Sequence, residues 1–134
     1  MKIYNVTKNG YHPFIIKEEW QIAKLNYSIE QSLNKIKKME KHINTDEVFI
    51  LLEGKAILIE GTFTNNWEFK FHRMEKKKIY NVEAGTWHNI ILFEDTETLI
   101  IEKNATHIND CTYKDFIEDD KKTLISQYSN YCNL

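Results

Sequence analysis

Four side chains have the types and spacing to act together: Glu40, His42, Glu47 and His88. Glu40 and His42 are two residues apart, so on an extended strand they point to one face. Glu47 shares a face with Phe49 and Leu51, and His88 with Ile90 and Leu92. If these faces all turn inward, two imidazoles and two carboxylates meet in otherwise apolar surroundings. A buried carboxylate without a partner is costly, so the set calls for a cation or shared protons. Two imidazoles with one or two carboxylates and open positions suit a mononuclear divalent ion, namely Fe, Mn, Zn or Ni. A catalytic site would keep one of those positions for water or substrate.

Other polar residues lack such a pattern. Asp46 adjoins Glu47 and points the other way on a strand, which suits capping or surface pairing. His12, His72 and His107 have no matching spacing and are read as structural or exposed. Trp87 reads as a packing residue, and nothing singles out Lys41 or Tyr80 as substrate contacts. Lys76-Lys77-Lys78 is the one charge run and reads as a solvated turn or strand end.

The elements that must position the four residues are short strands. Candidates are residues 2–6, 20–27, 47–52, 55–59, 67–71, 79–82, 88–93 and 98–103, with turn signals at Asn65-Asn66, Ala84-Gly85 and Glu94-Asp95. Trp67 to Phe71 alternates apolar and polar residues at period two. The runs on either side of Glu53-Gly54 read as a hairpin. The unbroken apolar run 48–52 suggests a strand covered on both faces, by a second sheet, a terminal segment or a partner subunit; a homodimer is expected on this ground. Many short strands at this spacing point to an all-β, antiparallel sandwich or barrel. The tail differs: Thr112 and Asp115 have capping-box spacing, and Phe116, Leu124, Tyr128 and Tyr131 recur at helical intervals. A helical segment over about 113–131, docked on the barrel exterior, is expected.

Composition bounds the partners and compartment. With 42% hydrophobic and 13% aromatic residues, only 4 Gly and 1 Pro, the chain is no disordered segment. Residues 1–134 are read as a single domain. The balance of 18 Lys+Arg against 20 Asp+Glu argues against a nucleic-acid partner. No apolar run approaches membrane-span length, and the N-terminal residues lack a secretory apolar core. Cys111 and Cys132 are read as free thiols. A cytoplasmic location follows as an expectation. A single arginine amid many Lys, Ile and Asn suggests an AT-rich, bacterial genome.

With these residues in view, the chain resembles a small single-domain cupin. That family's first motif runs His-x-His, then Glu, then Gly. Here His42, four residues, Glu47, six residues and Gly54 match its tail, and Gly85-Thr86-Trp87-His88 matches the Gly-x-x-His of the second. Glu40 replaces the first histidine, Asn34 the first motif's glycine, Glu83 the second motif's proline and Leu92 its terminal asparagine. The resemblance covers roughly residues 36–103. It implies a double-stranded β-helix (jelly roll) with His42, Glu47, His88 and Glu40 around a central divalent metal. It also implies Lewis-acid or O2-binding chemistry on a small polar molecule, with Glu40 or Glu47 as general base where it is not a ligand. Two other readings stay open. One is a metal-independent sugar or sugar-nucleotide isomerase or epimerase, against which the single arginine counts. The other is a non-catalytic ligand-binding module.

Overall fold

Period-two patterning runs through most strands of the computed structural model, which describes residues 1–134. The ten strands are β1 (Gly10–Ile16), β2 (Trp20–Asn26), β3 (Lys38–Lys41), β4 (Glu47–Glu53), β5 (Ala56–Phe63), β6 (Trp67–Arg73), β7 (Ile79–Val82), β8 (Trp87–Leu92), β9 (Glu97–Lys103) and β10 (Thr112–Asp115). A short helix, α1 (Thr106–Asn109), precedes β10, and α2 (Glu118–Cys132) ends the chain. The strands form two antiparallel five-stranded sheets, ordered β1-β2-β9-β4-β7 and β10-β3-β8-β5-β6. No helix is long and apolar enough to cross a membrane.

The sheets face each other across a core that includes Leu25, Phe49, Leu51, Leu58, Ile90 and Ile100. A second apolar cluster, with Ile57, Ile59, Trp67, Phe71 and Ile91, lies on the outside of the β10-β3-β8-β5-β6 sheet. There α2 covers it: Leu124 is 1% exposed, and Tyr128 and Tyr131 pack on Phe71 with ring centroids 5.5 and 5.4 Å away. The tail therefore docks on the barrel exterior as its aromatic spacing implied.

Several local expectations are corrected. Residues 2–6 form no strand; the first strand is β1, which contains the chain's one proline, Pro13. Proline lacks the amide a central strand must donate, but β1 is an edge strand with a register shift between Pro13 and Ile15. The stretch from Thr112 to Asp115 is strand, paired with β3, and not the start of a helix. The helix begins at Glu118, where the Asp120 carboxylate accepts the Ile117 N–H at 3.0 Å. In β4 burial alternates, leaving Val48, Ile50 and Leu52 half-buried; the strand apolar on both sides is β5, with Ala56 to Ile59 all buried.

The expected hairpin at Glu53-Gly54 is a corner between sheets. β4 pairs with β9 in one sheet while β5 pairs with β8 in the other. Both members of this ribbon must turn at one place. Gly54 has φ of +78°, and a Cβ there would lie 2.6 Å from the Thr96 backbone. Thr96 Oγ1 donates to the Lys55 carbonyl at 2.6 Å and accepts the Lys55 N–H at 3.1 Å. Glycine is required by conformation and by space alike. Truncating Leu124 to Ala should cost about 2–5 kcal/mol in urea unfolding, because its side chain seals α2 to the sheet. A loss near zero would show that the helix contributes nothing to the fold.

Candidate metal centre

The fold brings Glu40, His42, Glu47 and His88 together. One ligand atom from each lies within 4.8 Å of the others, with His42, Glu47 and His88 buried and Glu40 half-buried. Strand register explains much of this. Glu40 of β3 sits opposite His88 of β8, and Glu47 opens β4 on its inward face. His42 follows β3, and its loop is tied down on two sides. Gly85, at φ of +84°, donates its N–H to the His42 carbonyl at 2.6 Å, while Asp46 accepts from Ala84 N–H and Asn81 Nδ2.

Both imidazoles are oriented by backbone carbonyls. His42 Nδ1 donates to Asp110 O at 2.6 Å and His88 Nδ1 to Thr86 O at 2.9 Å. That leaves each Nε2 facing the centre, where they approach Glu47 Oε2 at 3.0 and 2.7 Å. A carbonyl behind one ring nitrogen and an inward-facing second nitrogen is how a metal-binding imidazole is held. Glu40 Oε1 stands 3.8 Å from His88 Nε2, beyond hydrogen-bond reach. The donor set therefore fits a divalent cation on chemistry and on orientation.

The charges respond to one another. Burial opposes a charged His42, but hydrogen bonds to Cys111 and Glu47 raise its pKa well above the usual imidazole range. His88 is raised likewise, Glu47 outweighing burial. Burial alone would raise Glu47; the two imidazoles hold it below the usual carboxylate range. Glu40 is raised by burial and by the charge of Glu47.

A cavity of about 320 Å³ opens beside these residues. Its wall includes side chains with no motif spacing: Tyr11, Glu102, His107, Cys111 and Tyr113. Gln21 stands just behind, its Nε2 2.8 Å from Glu102 Oε1 and 3.0 Å from His107 Nδ1. Glu102 was within reach of the sequence pattern, because Thr98, Ile100 and Glu102 share the inward face of β9. Asp110 and Cys111 carried no such signal; they arrive through the turn after α1. Cys111 is unpaired, its Sγ 3.6 Å from His42 Nδ1, and Cys132 is free at the tail. Trp87 packs against Trp67 outside the cavity, and His72 pairs with Glu60 at 2.9 Å.

Comparison with solved structures agrees with this architecture. The chain is similar to a cupin-2 domain protein from Shewanella frigidimarina, at 18% identity and TM-score 0.53, over 74% of this chain and 85% of that one. It is also similar to a Bacillus halodurans protein, at 15% identity and TM-score 0.59, over 81% and 80%. An RmlC-like cupin family protein with a double-stranded beta-helix fold, from Methanocaldococcus jannaschii, matches at 15% identity and TM-score 0.51, over 78% and 91%. No protein-family model and no curated protein matches the sequence. The chain has the cupin fold, a double-stranded β-helix with a C-terminal helix.

Protonation of this cluster gives stability a defined pH dependence. Raised His42 and His88 contribute stability that is full below the ordinary imidazole pKa of about 6.5 and is lost as pH rises above it. Lowered Glu47 contributes above about 4.3 and loses its contribution in acid. A divalent ion competes for the same nitrogens, so its stabilisation grows with pH. Chelator-treated protein should therefore melt lower at about pH 9 than at about pH 6, and added Zn2+ should raise Tm more at about pH 8 than at about pH 6. The reverse ordering would show that these protons do not govern the site.

Proposed function

We propose that this cupin-fold protein is a metal-dependent enzyme acting on a small polar molecule in the cavity beside Glu40, His42, Glu47 and His88. The observation that supports it is the convergence of two oriented imidazole Nε2 atoms on one buried carboxylate. His42, His88 and Glu47 would hold the ion, a set suited to Fe, Mn, Zn or Ni with positions left open. When bound, the ion supplies Lewis-acid polarisation of a coordinated oxygen. Glu40, half-buried and not hydrogen-bonded to His88, is the group placed to take a proton from a bound molecule.

Metal analysis of protein prepared with Fe, Mn, Zn or Ni should give near one ion per chain. His42→Ala and His88→Ala should each lose most of it while keeping the β-rich circular dichroism spectrum. Glu40→Gln should retain metal; if it loses metal as His42→Ala does, Glu40 is a ligand and not the base. Unchanged loading in both histidine variants would overturn the reading.

We also propose that two copies pair through the outer face of the β1-β2-β9-β4-β7 sheet. Strand register sets Ile15, Ile22, Ile101 and Val48 in one outward row and Leu99, Ile50 and Ile79 in the next. None of these belongs to either buried core cluster, and Ile79 is 72% exposed. Lys24, beside Leu99, is neutralised by Glu97 at 3.2 Å. Five strands about 4.8 Å apart make this face on the order of 400 Å² in projection. An apolar patch of this order can mark an interaction site, and a face whose central lysine is paired can meet its own copy about a two-fold axis. Light scattering should report twice the chain mass, and Ile50→Asp with Ile101→Asp should return a folded monomer. A monomeric wild type would refute the pairing.

A further inference from the structure

The cavity wall beside Glu47 holds a second polar group that the four central residues do not hydrogen-bond. Tyr11 OH and Gln21 Nε2 both donate to Glu102 Oε1, at 2.5 and 2.8 Å. Gln21 is itself fixed, its Oε1 accepting the Ala105 N–H at 3.1 Å, and it is fully buried. Glu102 is 5% exposed, yet its second oxygen, Oε2, takes no hydrogen bond from the protein and is not among the buried, unpartnered atoms. It therefore opens to the cavity. A carboxylate oxygen held in a nearly buried wall demands a donor.

The charge of the wall limits what that donor belongs to. No Lys or Arg lines the cavity; its acidic groups are Glu40, Glu47 and Glu102, and its only bases are histidines. A divalent ion would be neutralised by Glu40 and Glu47, leaving nothing to balance an anionic ligand near Glu102. Phosphates and sugar nucleotides, which rely on Arg or Lys contacts, do not fit. Glu102 pairs across the strands with Glu47, so their inward side chains are neighbours about 5 Å apart at Cβ. One small molecule can reach both.

We propose that Tyr11, Gln21 and Glu102 form a ligand clamp that selects a small uncharged or cationic molecule, a polyol or an amino alcohol, by accepting a hydrogen bond from its hydroxyl or ammonium group at Glu102 Oε2. The clamp deepens the enzyme reading above and rests on it for the position of the reacting end of the molecule.

Ethanolamine, ethylene glycol and glycolate are alike in size and differ in charge, and calorimetric titration into metal-loaded protein at about pH 7 separates them. Glu102→Gln should lower the ratio of ethanolamine to glycolate affinity at least tenfold, with metal content unchanged. Glu75→Gln, at an exposed carboxylate outside the cavity, should leave the ratio as it is. Tyr11→Phe should weaken ethylene glycol severalfold. An unchanged ratio in Glu102→Gln, or no saturable binding of ethanolamine and ethylene glycol, overturns the clamp. Loss of metal in Glu102→Gln would also overturn it by making Glu102 a ligand. Failure of wild type to load metal, with the ratio shift still present in metal-free protein, would sink the enzyme reading and leave the clamp standing.

Discussion

One buried carboxylate organises the centre of this protein. Glu47 lies among Phe49, Ile90 and Ile100, where an unpaired negative charge is not tolerated, and it survives because two imidazoles reach it. Each imidazole is in turn held from behind by a backbone carbonyl, of Asp110 or Thr86. The need to satisfy one charge thus ties together β4, β8, the loop after β3 and the turn after α1. Protons satisfy it in one state, and a divalent ion fits the same place.

The fold meets that demand through its corners. The β4/β9 pair in one sheet continues as the β5/β8 pair in the other, bending where Gly54 meets Thr96. This bend sends Glu47 and His88, 41 residues apart in sequence, to the same interior point. The segment after β9 has a second task. Asp110 uses its carbonyl on His42 and its carboxylate on the Ile43 and Asn44 amides, so the turn that leads out of the barrel also sets the position of a central side chain.

The two sheets are finished differently, and the difference follows from how the chain is spent. Outside β5, β6 and β8, the apolar residues are covered by α2 and its tyrosines. Outside β2, β4 and β9, apolar rows of the same character are half-buried and belong to neither core cluster. Inside, the cavity wall is polarised too: acidic groups and histidines gather around one opening, and the lysines lie outside it.

Much of this was legible in the residues alone. Period-two patterning marked most of the strands, helical spacing marked the tail, and the spacing of His42, Glu47, Gly54, Gly85 and His88 marked the centre, because local periodicity and short motifs are properties of neighbouring residues. Other features depended on partners far along the chain. Pro13 concealed an edge strand whose unpaired side tolerates it. Tyr113 belongs to a strand because β3 offers an edge, and Glu53-Gly54 is a corner because β8 and β9 turn beside it. Period two put Glu102 on the inward face of β9 but did not say that it would lie opposite Glu47, and Asp110 joins the centre through turn geometry that no spacing in the sequence encodes. The residue types determined that this protein would bury imidazoles and carboxylates in a β-rich core; tertiary packing decided which ones meet, since contact in space is a property of the folded chain and not of its order.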